Sequence, residues 1–170
     1  MFQKGDYLVY GTLGVCRVRE LTTRKFEGLD AAYLYYVLEP LYQDGVLYIP
    51  AENPNIPLRP VISAAEANSL IDALPQQKGQ AFHSSSTQEL TAHYEEAMRT
   101  HNCKELFQMV NSLYEKKQGL TLQKKKFGRV DEHFMRRAED FLYGELAVAL
   151  NLPKGAVPGY IAQRLAGSRA

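Results

Sequence analysis

The sequence contains no tryptophan and only two cysteines, Cys16 and Cys103, among 170 residues. Two distant cysteines with no CxxC spacing cannot form a disulfide framework, and they fit a reducing compartment. Long apolar runs are also missing. The longest near the C-terminus covers 146–150, against the ~20 residues that span a bilayer. The opening residues MFQKGD lead into no apolar export core, so neither a membrane span nor a leader is expected. Net charge is nearly absent, with 20 Lys and Arg against 19 Asp and Glu. That balance excludes a disordered polyelectrolyte and a wholly basic protein that coats nucleic acid. What is present is an ordinary globular composition, 45% apolar and 23% charged, long enough for one domain or two small ones. A soluble cytoplasmic protein is expected.

The charge and the aromatics are unevenly spread. Residues 1–72 hold six basic and nine acidic side chains, and residues 73–170 hold fourteen basic and ten acidic. Seven of the eleven tyrosines lie in the first 48 residues. Pro50, Pro54, Pro57 and Pro60 then interrupt any regular element. A Tyr/Val-rich half, a proline-rich connector and a Lys-rich half predict two units, 1–60 and 61–170. No internal repeat occurs at a fixed period, and Ser84-Ser85-Ser86 reads as a short loop before a helix.

The first unit reads as strands. Tyr7, Leu8, Val9 and Tyr10 lie between Gly5-Asp6 and Gly11, and Val15, Arg17 and Arg19 alternate with Cys16 and Val18. A β-branched and aromatic run covers 33–38, and another at 46–49 follows the turn signal Asp44-Gly45. Four or five short strands with tight turns predict a small, strongly bent sheet or barrel. Such a sheet has exposed edges, which can pair with another chain or with a second copy of an otherwise monomeric protein.

The second unit reads as helices. Ser63 with Glu66 and Ser86 with Glu89 have capping-box spacing, and Asn102 with Glu105 forms a further N-cap pair. These predict helices over 64–74, from Ser86 onward, and from Asn102 to a left-handed stop at Gly119. On the third, Leu106, Met109, Val110, Leu113 and Tyr114 share one face. A long helix over 129–150 turns Val130, Phe134, Ala138, Phe141, Leu142 and Leu146 inward, and a last one covers 157–166. Together they predict a compact five-helix bundle.

Catalytic constellations find no support. The chain has no GxSxG, GxxxxGK, GxGxxG or HExxH pattern. His93, His101 and Cys103 straddle a helix break and match no ligand spacing. Asp131-Glu132 and Glu139-Asp140, eight residues apart on a helix, read as a solvated acidic face. No enzyme activity, metal or cofactor is expected.

The basic residues are more informative. Lys116, Lys117, Lys124, Lys125, Lys126, Arg129, Arg136 and Arg137 fall within 113–137 beside only Glu115, Asp131 and Glu132. Spanning a helix end, a loop and a helix start, they can converge on one surface that attracts phosphate backbones without reading sequence. With no Trp, and with Tyr114 and Phe127 reading as core, stacking on single strands is not indicated.

The opening MFQKGDYLVYGTLGVCRV resembles the start of CarD-family bacterial transcription regulators. The resemblance continues through Tyr48-Ile49-Pro50, through Leu58-Arg59-Pro60-Val61-Ile62-Ser63, and through Ala138-Glu139 with Tyr143-Gly144-Glu145-Leu146-Ala147. The N-terminal portion is also similar to the polymerase-interacting module of the transcription-repair coupling factor, whose motor this chain has no room for. The resemblance implies an α+β protein: a small Tudor-like or SH3-like β-barrel followed by an all-α bundle. It implies docking of the first unit on the RNA polymerase β subunit, by β-augmentation. It further implies that the second unit touches promoter DNA near the melting bubble; the modest net charge of residues 73–170 predicts that this contact is weak and depends on polymerase to hold it there. The outcome would be modulation of the open complex and of initiation, by a protein found with polymerase on the nucleoid.

The resemblance implies polymerase contacts at Arg24 and Tyr48, the latter where family members can have Arg. It implies turn positions at Gly5, Gly11 and Gly14, and DNA-facing positions near Lys116, Lys125 and Lys126, to which the basic cluster itself adds Lys117, Lys124 and Arg129 as expected DNA contacts. One departure stands out. Many CarD proteins insert a Trp into the minor groove beside the bubble, and the corresponding stretch here, 83–89, has none. Phe82 either supplies a weaker wedge or anchors the connector, and absence of the wedge is the favoured reading. A rival reading is a protein-only adapter whose helical unit recruits another protein and never touches DNA.

Overall fold

Two glycines shape the first hairpin. The computed structural model describes residues 1–23, 33–52, 54, 56–76, 81–100 and 102–168. Strand β1 (Tyr7–Tyr10) ends in a single 3-10 turn, Gly11–Leu13, and the chain reverses into β2 (Gly14–Thr22). Gly11 and Gly14 have φ of +36° and +74°, which a side chain would strain. Gly11 is constrained twice, because a Cβ there would sit 2.5 Å from Ile56 Cγ2.

Strands β3 (Tyr35–Pro40), β4 (Leu47–Pro50) and β5 (Leu58–Pro60) complete an antiparallel sheet of order β4-β3-β2-β1-β5. It curls into a Tudor-like half-barrel. Along β2, buried Cys16 and Val18 alternate with exposed Arg17 and Arg19. The register to β3 slips between Val18 and Glu20, a bulge that adds the local bend a closed-up sheet needs. The core is Leu8, Cys16, Val18, Tyr36 and Leu38. Burial raises the Cys16 thiol to about 11, so this cysteine is an inert packing group. The buried Tyr36 hydroxyl accepts the Phe2 N–H at 3.0 Å.

Two readings of this unit change. β3 starts at Tyr35, leaving Tyr33 exposed, and runs on to Pro40. β5 lies inside the proline-rich stretch expected to hold no regular element. It survives there as an outer strand, where Pro60 needs to donate no ladder bond.

From Ile62 the chain is helical: α1 (Ala64–Asp72), α2 (Thr87–Met98), α3 (Cys103–Leu122), α4 (Arg129–Ala149) and α5 (Val157–Ser168). Ser63 Oγ accepts the Glu66 N–H at 3.1 Å and Ser86 Oγ the Glu89 N–H at 3.3 Å. Asn102 Oδ1 accepts from Lys104 N and Glu105 N at 2.9 and 3.4 Å. Each such cap is worth ~1 kcal/mol. α1 stops at Asp72, earlier than expected, and a 3-10 turn carries the chain over Pro75. The core runs from Ala67 and Ile71 of α1 through Leu106, Phe107 and Leu113 of α3 to Phe134, Ala138, Leu142 and Leu146 of α4. α5 docks on α1, where Tyr160 Oη donates to Asn68 Oδ1 at 2.6 Å and Arg164 grips Asp72 at 2.7 and 2.9 Å.

Gly119 does not end α3. The helix runs through it to Leu122, and the left-handed position falls to Lys124, at φ +57°. Lys125 N donates to Leu120 O at 2.8 Å and Lys124 N to Thr121 O at 3.0 Å, the paired bonds of a Schellman motif. Asn151, at φ +54°, closes α4 in the same way.

The chain divides into two compact units, Met1–Val61 and Ile62–Ala170. Counted at that boundary, the first holds six basic and seven acidic residues and the second fourteen and twelve. The charge asymmetry read at residue 72 therefore shrinks, since Glu66 and Asp72 belong to α1. Among the described residues no helix is long and apolar enough to cross a membrane.

Candidate functional site

The basic corner of the helical unit is built by the end of α3, the turn over 123–128 and the first residue of α4. Lys124, Lys125, Lys126 and Arg129 are exposed there and make no ion pair among the described residues. Three are consecutive and the fourth follows three residues later, so chain connectivity alone keeps them within roughly 18 Å. Lys117 Nζ lies 5.6 Å from the centroid of the Phe127 ring, and Arg137 lies 5.6 Å from that of Phe134. Arg136 is committed to Glu132 at 2.8 Å, four residues back on the same helix.

Lys116 is not part of this surface. Its side chain is 6% exposed and its ammonium lies 3.0 Å from both carboxylate oxygens of Asp131, itself 4% exposed. The same Nζ donates to the Phe82 carbonyl at 2.7 Å. Tyr94 Oη, from α2, donates to Asp131 Oδ1. Burial and the neighbouring carboxylate push the Tyr94 phenol well above its ordinary range. Asp131, expected on a solvated acidic face, is thus an interior residue, and Lys116, one of the lysines expected to face DNA, is its counter-ion. A signal was present in the sequence. Lys116 continues the inward series Leu106, Met109 and Leu113 at i+3, and Asp131 precedes Phe134 and Ala138 on the inward face of α4.

Phe82 sits inside the same arrangement. Its ring stacks on His93 at 3.9 Å and 9°, and it packs against the helical core. A ring held that way anchors the segment ahead of α2 and is not presented as a wedge. Glu145, a further buried acid, accepts the Ile62 N–H at 3.1 Å. The stretch that carries Glu145 in the sequence resemblance therefore holds the start of the helical unit in place. Among the described residues no cluster of three His, Cys, Asp or Glu could hold a metal ion, and His101 lies outside the described residues.

The β unit presents a different surface. β4 is an edge strand, with Leu47 and Ile49 packed against the core and Tyr48 facing the other way, 36% exposed. Leu41, Tyr42 and Val46, also exposed, flank Tyr48 along the connection from β3. An outermost strand of the described sheet, beside apolar side chains, suits strand addition by a partner. Arg24 lies outside the described residues.

The first unit is a curled sheet with an apolar edge, and the second is a capped helical bundle with a basic corner. Residues 2–62 match the family model of the CarD-like/TRCF RID domain. The first unit is such a module, whose family role is interaction with RNA polymerase. The match ends at the first residue of the helical unit. No curated protein shows a significant match to the chain.

Proposed function

We propose that the chain is a non-enzymatic, CarD-like transcription regulator that docks on the RNA polymerase β subunit through its first unit and touches promoter DNA through the second. The observation that carries the reading is the match of the RID domain over the whole β unit. Strand β4 offers the edge, and Tyr48 with Leu41, Tyr42 and Val46 offers apolar packing beside it. Arg24 is assigned a polymerase contact by family resemblance alone. On the helical side, Lys117, Lys124, Lys125, Lys126 and Arg129 would meet phosphates, and polymerase would hold them near the bubble. A protein that binds the open promoter better than the closed one shifts that equilibrium by its differential affinity, with no chemistry.

The test is co-purification with the isolated β subunit and titration of promoter duplex over a salt series. Arg24→Glu should abolish capture of the β subunit while far-UV circular dichroism stays native. Unchanged capture would sink that face. Lys124→Ala/Lys125→Ala/Lys126→Ala should flatten the slope of log K against log salt by about 2.7, at ~0.9 for each phosphate no longer neutralised. An unchanged slope would remove DNA from the reading.

The protein-only adapter keeps one specific support. A cleft of about 480 Å³ between α3, α4 and α5, lined by Phe107, Val110, Tyr114, Tyr143 and Ile161, is open on the helical unit, and Tyr114 at its rim is 53% exposed. A flat salt response together with helical-unit binding to a protein partner would favour the adapter.

A further inference from the structure

We propose that Lys116 is a positioning residue: its buried ion pair with Asp131 holds the end of α3 and the start of α4 in the geometry that presents Lys124, Lys125, Lys126 and Arg129 as one cationic surface. The inference rests on the DNA reading for what that surface meets, and on the following observations for the joint itself.

The pair lies directly beneath the corner. Lys116 is less than two turns from the end of α3, and Asp131 is in the first turn of α4. Four parts of the unit meet there: α3 through Lys116, α4 through Asp131, α2 through Tyr94, and the segment before α2 through the Phe82 carbonyl. The turn above also rests on the carboxylate. A Cβ built on Gly128 would lie 3.2 Å from Asp131 Oδ2, so the turn passes close beside the carboxylate.

Stability alone does not account for such a pair. Two charges withdrawn from water regain in mutual attraction little more than they lose in hydration, and apolar residues of similar size would serve as well. What an ammonium with three short, directed contacts adds is distance and direction. Apolar helix packing tolerates sliding that those contacts do not.

The corner needs this external hold, because its own sequence works against order. Lys124 occupies a left-handed conformation that disfavours residues with a Cβ by roughly 1 kcal/mol. Lys124, Lys125 and Lys126 repel one another, and the N-cap of α4, Gly128, supplies no side-chain cap.

The discriminating variant removes both ions together, Lys116→Met with Asp131→Leu, so that no charge is left buried. Native helicity is expected, with a Tm well above that of Lys116→Met alone, although the Tyr94 hydroxyl and the Phe82 carbonyl each lose a partner. Trypsin acting on the native protein should cut after Lys124, Lys125 or Lys126 about tenfold faster, because cleavage follows the population of the locally open turn. Affinity for a promoter duplex should fall about fivefold with the salt slope unchanged, since every surface cation remains. Removal of the surface lysines, by contrast, changes the slope.

Cleavage no faster than in the wild type overturns the proposal, and so does faster cleavage with undiminished duplex affinity. If the wild type itself shows no salt-dependent duplex binding while the variant is cut faster, the DNA reading fails and the hold on the corner stands.

Discussion

The two units solve the problem of internal register differently. In the β unit the backbone ladder pairs Leu8 with Cys16, Val18 with Leu38 and Val37 with Tyr48. Its core cluster, Leu8, Cys16, Val18, Tyr36 and Leu38, contains no Asp, Glu, His, Lys or Arg. The helical unit has no ladder between its elements and buries Lys116, Asp131 and Glu145 instead. A sheet slipped by one residue turns its core face to water, so pattern alone fixes it. Helices packed through apolar ridges can slide at less cost, and directed polar contacts limit the sliding. The outer surfaces differ in parallel: apolar and tyrosine-rich beside β4, cationic at the α3–α4 corner.

The sharpest way to break this contrast is Lys116→Met alone. It leaves Asp131 buried with no cation and should cost about 3–5 kcal/mol, read from denaturant unfolding followed at 222 nm. Leu38→Ala, at a fully buried site of the β unit, should cost about 2–5 kcal/mol through lost transfer energy and the cavity left behind. The two differ in remedy. Adding Asp131→Leu should restore most of the loss at Lys116, whereas no single polar change restores Leu38→Ala. If Asp131→Leu gives no rescue, the ion pair is not what the helical unit depends on.

Surface chemistry separates the units again. Tyr48→Ala should weaken capture of the polymerase β subunit about tenfold, the ordinary effect of removing an aromatic anchor. If Tyr48 docks through apolar packing as proposed, the ratio of wild-type to variant affinity should stay constant between 50 and 300 mM salt, about the range over which a phosphate contact loses most of its strength. A ratio that collapses with salt would mean that the β unit, too, docks by charge.

How much of this could be read from the sequence follows the same division. β1, β2 and α2 to α4 were legible because period and caps coincide: alternation around Cys16 and Val18, Ser86 three residues before Glu89, Asn102 three before Glu105. β5 was hidden because a strand of three residues among prolines has no period to detect. The stop at Gly119 misled because glycine is permitted in the left-handed region without being required to enter it. The helix continued until the turn had to form, and Lys124 took the conformation. Lys116 and Asp131 were hidden by their charge. Side chains of that kind are taken for surface, although each continued the inward series of its helix and the two signs were opposite. The aromatic surface beside β4 was partly legible, since Leu47 and Ile49 had to share one side and Tyr48 the other.

A smaller effect tests the ladder. Gly11→Ala combines a positive φ with a Cβ 2.5 Å from Ile56 Cγ2, and the neighbouring side chain must move. A loss of about 1–3 kcal/mol is expected, against about 1 kcal/mol for Gly5→Ala, which carries the strain of φ +91° alone because its Cβ would meet open space. Equal losses at both glycines would show that strain in φ, and not packing against Ile56, shapes this hairpin.

The smallest effect concerns two carboxylates of the helical unit with opposite responses to pH. Burial pushes Glu139 above its ordinary value, opposed by Lys117 and Arg136 and assisted by Asp140. A raised folded-state value means that the folded protein binds the proton more readily than the unfolded chain. Stability from this group is therefore gained as pH falls through the folded value and lost as pH rises. Glu139→Gln should stabilise at pH 7 by about 0.5 kcal/mol or less, since solvent screens the site, and the gain should vanish below pH ~4. Asp72 runs the other way. Its hydrogen bonds from Arg164 hold it below the usual carboxylate range, so its contribution is present at neutral pH and fades on acidification. Tm measured against pH for Glu139→Gln and Asp72→Asn should thus differ from wild type with opposite sign at pH 7 and converge on it in acid. A shared sign would mean that ionised Glu139 gains more from Lys117 and Arg136 than burial takes away, and that the helical unit accommodates a third partly buried acid as readily as it does Asp131 and Glu145.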